Sequence, residues 1–90
     1  MAKRVRVVAS GRVQGVFYRA TCADLARSRG LAGFVRNIAD GRVEACFEGP
    51  DGEVDAMVDW CRTGTDWARV DRLDVFDEPV RGDHGFRVTR

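Results

Sequence analysis

Apolar and polar residues alternate from the start of the chain: Val5, Val7 and Ala9 stand against Arg4, Arg6 and Val8. A period of two predicts a strand. Gly11 and Gly15 then punctuate a loop, after which the period lengthens. Tyr18, Cys22, Leu25 and Ala26 fall on one face of a helix that Gly30 is placed to end in the left-handed conformation. The loop therefore leads a strand into a helix N-terminus. A second strand is predicted through Phe34, Val35, Arg36 and Asn37, with Asp40-Gly41 as a two-residue hairpin turn. The return strand sets Val43, Ala45 and Phe47 against Arg42, Glu44, Cys46 and Glu48, and Gly49-Pro50-Asp51-Gly52 closes it.

A second helix follows, with Val54, Met57, Val58 and Cys61 at i, i+3, i+4 and i+7. Asp51 and Glu53 lie where its dipole favours negative charge. Ala68 to Phe76 reads as a fourth strand, and its apolar parity shifts between Val70 and Leu73, which predicts a bulge. Phe86 and Val88 mark a short last strand. The order β-α-β-β-α-β, with room for an extra edge, is that of an α+β ferredoxin-like split βαβ sandwich. Four antiparallel strands with both helices on one face would bury every stripe named. Trp60 lies at the border of the second helix's buried stripe and Trp67 in the following loop, and both are expected to be partly buried in the core.

At 90 residues, 44% of them hydrophobic and 32% charged, the chain is expected to form a single domain over 1–90. No apolar stretch approaches the ~20 residues of a membrane span, and Arg6, Ser10 and Gly11 interrupt any signal-peptide core. A cytoplasmic protein without membrane contact is expected. Cys22, Cys46 and Cys61 are too widely spaced for a zinc site and are expected as reduced packing residues. Net charge is only +1, but its distribution is uneven. Lys3, Arg4, Arg6, Arg12 and Arg19 precede the first acidic residue, Asp24. That points either to an anion met near the N-terminal segment or to a solvated basic face.

The segment from Gly11 to Arg19 is where chemistry can reside. Glycines free the backbone to take positive φ, and successive N–H groups can then converge into an anion-binding nest. The loop also opens a helix, whose first N–H groups lack partners. Arg19 adds a planar fork able to grip phosphate oxygens. An ordinary βα turn beside an exposed arginine is the plainer alternative. His84, among Gly82, Asp83 and Gly85, belongs to a turn and is not expected to be catalytic.

Gly11-x-Val13-Gln14-Gly15-Val16-x-Tyr18-Arg19 resembles the first signature of the acylphosphatase family. Gly33-Phe34-Val35-Arg36-Asn37-x-x-x-Gly41-x-Val43, followed after five residues by Gly49, resembles the second. The likeness runs from Val5 to about Val88 and implies the family's ferredoxin-like fold. It implies hydrolysis of a small acyl phosphate to a carboxylate and inorganic phosphate; a stand-alone enzyme is expected, and so small a domain is expected to be a monomer. By motif position, Arg19 would bind the phosphoryl group and Asn37 would position the attacking water. The backbone of Gln14, Gly15, Val16, Phe17 and Tyr18 would supply further donors, with the Gln14 side chain free to brace the loop. No metal or other cofactor is expected, because a carboxylate leaves readily and phosphoryl transfer needs mainly positioning and charge neutralisation. The amide of Asn37 is no base, and the proton of the water would pass to the substrate's own phosphate oxygens.

Two departures from the family pattern are Ala9, where a larger aliphatic residue is usual, and Gly64-Thr65 in place of Gly-Pro. Neither is expected to touch the phosphate site. The same element order also serves RNA-binding modules, but Arg42, Glu44, Cys46 and Glu48 make a poor stacking surface, so no nucleic-acid partner is expected. A non-catalytic anion-binding or regulatory ferredoxin-like domain is the remaining alternative.

Overall fold

The computed structural model describes residues 1–89; Arg90 lies outside the described residues. The N-terminal alternation becomes β1 (Ala2–Arg12), and the lengthened period becomes α1 (Tyr18–Ser28). Then come β2 (Ala32–Asn37), β3 (Val43–Pro50), α2 (Asp51–Thr63), β4 (Arg69–Glu78) and β5 (Phe86–Thr89). The sheet runs in the order β4-β1-β3-β2-β5. The first four of these strands pair antiparallel, as expected, while the short β5 adds a parallel edge beside β2.

Alternation decides which side of the sheet is covered. Val5, Val7, Ala9, Val35, Val43, Ala45 and Phe47 share one core with Tyr18, Cys22 and Ala26 of α1 and Val54, Met57 and Cys61 of α2. Burying a large apolar side chain of this kind contributes roughly 1.5–3 kcal/mol before entropy is counted. Phe47 stacks on Phe86 with ring centroids 5.7 Å apart, fixing β5 against the sheet. Ala9 is fully buried within this core, so the smaller side chain there is a packing feature.

Helix ends follow the local signals. The Leu31 N–H reaches the Ala26 carbonyl and the Gly30 N–H the Arg27 carbonyl, both at 3.0 Å, closing α1 in a Schellman turn. The parity shift in β4 is a bulge: Ser10 pairs with Arg72 but Gly11 with Val70, leaving Asp71 unpaired.

The hairpin between β2 and β3 differs from expectation. The Ile38 N–H donates to the Arg42 carbonyl at 2.8 Å, so the loop holds three residues, Ala39, Asp40 and Gly41. A two-residue type I′ turn needs positive φ at both centres, and only Gly41 has it (φ 98°). A type I turn closed by a left-handed glycine is the three-residue solution.

β4 and β5 lie on opposite edges, so the connection between them must cross the uncovered face. Glu48, on the outward side of β3, anchors it. Its carboxylate accepts the N–H groups of Arg81 (2.9 Å), Gly82 (2.8 Å) and Asp83 (3.2 Å). Arg4 lies beneath, only 2% exposed, and pairs with Glu48, Asp83 and Glu78. Arg6 bridges Glu44 and Glu78, with its guanidinium 4.4 Å from the centre of the Phe76 ring. Lys3 pairs with Asp55. Much of the basic character of the N-terminal segment is thus met by the chain's own carboxylates across the sheet.

Cys22, Cys46 and Cys61 are free and buried. Burial, and then the neighbouring Glu78 carboxylate, push the Cys46 thiol up to about 11, so this cysteine is neither exposed nor activated.

Candidate active site

The strand-loop-helix passage at residues 12–19 builds one wall of a pocket. Gly15 (φ 72°) and Phe17 (φ 63°) both take the left-handed conformation, turning the chain twice before α1 begins. For Gly15 this is free of Cβ strain; for Phe17 it costs about 1 kcal/mol or more. A non-glycine residue held in this way belongs to a locally over-determined segment. The N–H groups of Gly15, Val16 and Phe17 donate to no carbonyl in the turns and caps among the described residues. The α1 N-terminus also has no side-chain cap and no acidic residue in its first turn. Unpaired donors and an uncompensated dipole thus lie together at the start of α1.

Two side chains, one from the loop and one from outside it, hold this loop in shape. Gln14 Nε2 donates to the Ile38 carbonyl at 2.8 Å and to the Arg42 carbonyl at 2.9 Å, bridging both sides of the hairpin. The hydroxyl of Thr65 donates to the Val16 carbonyl at 2.7 Å. Thr65 therefore touches the 12–19 loop directly, whereas this departure was expected to lie clear of it. A proline at that position could make no such bond. The Tyr18 hydroxyl donates to the Cys61 carbonyl at 2.7 Å, and burial raises its pKa, so it stays a protonated brace.

Arg19, in the first turn of α1, and Asn37, the last residue of β2, line the same pocket of about 250 Å³. Val13, Gly15, Phe17, Tyr18 and Ala20 complete it. The two side chains named by the sequence are thus brought together from positions eighteen residues apart. Asn37 Oδ1 is buried and has no hydrogen-bond partner among the described residues. Leaving a buried amide oxygen unpaired costs on the order of 1–3 kcal/mol. Such an atom is an acceptor waiting for a donor from a ligand or a water. Arg19 likewise makes no ion pair among the described residues, unlike Arg4.

The acylphosphatase profile matches residues 5–88. The chain belongs to the acylphosphatase family. An acylphosphatase of Natronomonas pharaonis is 53% identical over 92 residues, covering all of both chains. The crystal structure of acylphosphatase from Bacillus subtilis superposes with a TM-score of 0.92 at 34% identity, covering 100% of each chain. An acylphosphatase from Coxiella burnetii gives the same TM-score at 30% identity, covering 98% of this chain and 93% of that one. Acylphosphatase membership fits the pocket's contents, which are unpaired amides, one unpaired guanidinium and a neutral acceptor.

Other expectations resolve differently. Trp60 is half-buried, with its ring 5.0 Å from that of Tyr18. Trp67, expected to share the core, is 65% exposed and meets Phe17 edge-on at 5.7 Å instead. Its neighbour Ala68 packs against the core instead, and Phe17, itself exposed, meets the indole. His84 is exposed and lies outside the pocket lining. Among the described residues no three His, Cys, Asp or Glu side chains are grouped to hold a metal ion, and no helix is long and apolar enough to cross a membrane. On the open face of the sheet, ion pairs occupy the central positions: Arg36 also pairs with Glu44, at 2.6 Å.

Proposed function

We propose that this acylphosphatase-family chain hydrolyses small acyl phosphates through Arg19, Asn37 and the amides of residues 14–18. The phosphoryl group sits in the loop, held by the N–H groups of Gln14, Gly15, Val16, Phe17 and Tyr18 and by the Arg19 guanidinium. A water donates a hydrogen bond to Asn37 Oδ1 and is held in line with the bond to be broken. Its oxygen bonds to phosphorus as the phosphorus–oxygen bond to the acyl group breaks. The carboxylate departs with the electron pair, and the water's proton passes to a phosphate oxygen. Charge accumulating on the equatorial oxygens meets donors already in position, so little reorganisation is needed.

The observation that carries this reading is the orphaned Asn37 Oδ1, a buried acceptor in the pocket that holds an unpaired arginine. Its cost is understandable if a water or ligand supplies the missing donor. The same reading takes the span 1–90 as one working unit, a monomer acting in the cytoplasm without nucleic acid or added metal. It is supported by the continuous core and by three reduced, buried cysteines.

Turnover of benzoyl phosphate by the purified protein, with and without EDTA, tests it; equal rates are expected, and a folded protein with no turnover would sink the reading. Asn37→Ala should lose turnover while inorganic phosphate still inhibits or binds. Arg19→Gln should weaken phosphate binding by about 10- to 100-fold as well. Identical behaviour of the two variants toward phosphate would show that the division of roles is wrong.

A further inference from the structure

The pocket provides polar partners only at its phosphate end. Beyond Arg19 and Asn37, its lining side chains are Val13, Phe17, Tyr18 and Ala20. The one hydroxyl among them, on Tyr18, is spent on the Cys61 carbonyl. Nothing in that lining is left to hydrogen-bond the portion of a substrate that extends past the phosphoryl group. Outward of it stand two large aromatic side chains. Phe17, part of the lining, is 67% exposed, and Trp67 beside it is 65% exposed. Their rings meet at 5.7 Å with an interplanar angle of 68°, the edge-to-face geometry favoured by aromatic quadrupoles. Phe17 thus carries the apolar lining outward, and Trp67 extends it beyond the pocket.

Backbone geometry explains why Phe17 stands there. Its left-handed conformation (φ 63°, ψ 13°) turns the phosphate loop into α1, and its ring projects from that turn instead of entering the core. A glycine would take this conformation without strain, so a phenylalanine tolerates a penalty and exposes a ring in the same step. Trp67 then fixes the ring's position.

We propose that the Phe17–Trp67 pair seats the acyl group, and that it selects acyl phosphates with an apolar acyl part over those with short or charged ones. This rests on the hydrolytic reading above and deepens it by naming a substrate class. An apolar acyl group would cover both rings and release their water. A charged or strongly polar one would lose water against hydrocarbon with no side-chain partner in the lining.

The experiment compares kcat/KM for benzoyl phosphate with that for acetyl phosphate in the wild type, Trp67→Ala, Trp67→Phe and Phe17→Gly. The wild type should prefer benzoyl phosphate. Trp67→Ala should lower the benzoyl-to-acetyl ratio about 2- to 10-fold, through KM for benzoyl phosphate, while inhibition by inorganic phosphate holds. Trp67→Phe should recover most of the ratio. Phe17→Gly keeps the left-handed turn, should lower the ratio further, and carries the test should Trp67→Ala fail to fold. An unaltered ratio would overturn the proposal. So would a parallel loss on both substrates and on phosphate inhibition, which would make Trp67 a prop for the loop. A wild type that turns over neither substrate would instead remove the hydrolytic reading, and this inference with it.

Discussion

Two groups of backbone amides in this fold are arranged to receive an anion, and the chain itself fills one of them. The amides of Arg81, Gly82 and Asp83 close on the Glu48 carboxylate, and Arg4 completes the neutralisation from below. The amides of Gly15, Val16 and Phe17 have no carbonyl partner in the turns and caps among the described residues, Gly15 and Phe17 line a pocket, and Arg19 lines it too without a carboxylate among the described residues. The parts are alike: a few N–H groups and one arginine. What differs is where the anion comes from. An internal carboxylate makes the first a staple that pins the β4–β5 connection over the sheet. The second has no internal occupant among the described residues, and on the proposed reading its unsatisfied groups, Asn37 Oδ1 included, are the ones that bind and react. Polar groups paired within the chain favour the folded state, whereas polar groups left open favour a ligand.

Targeted substitutions test that contrast. The largest effect is expected from Asn37→Ala, which should lower kcat by roughly 10²- to 10³-fold without lowering thermal stability, because the lost acceptor had no partner to leave behind. Stopped-flow or steady-state rates together with a melting curve would check both halves. A fall in Tm comparable with that of a core variant would place Asn37 on the structural side of the contrast. Arg4→Met should do the reverse. Leaving Glu48 and its neighbours without their counter-charge should reduce unfolding free energy by roughly 3 kcal/mol, read by urea titration, with kcat/KM of the remaining folded protein preserved.

Acid should act on the staple. The Arg81 amide, and, against the opposing penalty of burial, the Arg4 guanidinium and the Gly82 amide, hold the Glu48 carboxyl below the ordinary glutamate range. A carboxyl depressed in the folded state lends its full stabilisation above the pH at which an unfolded glutamate titrates, and loses it as pH falls through the folded value. Stability measured below about pH 4 should therefore fall more steeply for the wild type than for Glu48→Gln, which has already lost the pair. Parallel curves would remove Glu48 from the acid response. The smallest effect is expected from Thr65→Val, which deletes the brace on the Val16 carbonyl. A loss of about 1 kcal/mol in phosphate affinity, with little change in global stability, would mark Thr65 as a positioning residue for the loop. An unchanged phosphate affinity would leave it a packing residue.

Legibility in the sequence follows the range of the interactions. The loop from Gly11 to Arg19 announces itself because its chemistry is local, with glycine, helix start and arginine all within one segment. Strands and helices are legible because burial imposes its period on β1, β3 and α2. Asn37 is different: as a lone polar residue before a turn it carries no signal, and only its resemblance to the second signature singles it out. The Glu48 staple joins residues more than thirty positions apart, and a charge pattern cannot say which carboxylate an arginine meets. The basic N-terminal segment therefore points toward an anion without revealing that Arg4 and Arg6 meet internal ones. The contacts of Thr65 and Trp67 are illegible for a related reason, since each meets the 12–19 loop from a connection whose path no periodicity describes.

The Gln14 amide, which grips the carbonyls on both sides of the hairpin, makes the length of that hairpin a dimension of the site. Surface turns ordinarily absorb insertions at little cost. Here one more residue between Ile38 and Arg42 should disturb the paired carbonyls that the Gln14 amide grips. Asn37 would then keep its place in the sheet while the loop opposite drifted. On the proposed reading, the turn at Ala39 to Gly41 is a gauge block that sets the gap between water and phosphorus from outside the pocket.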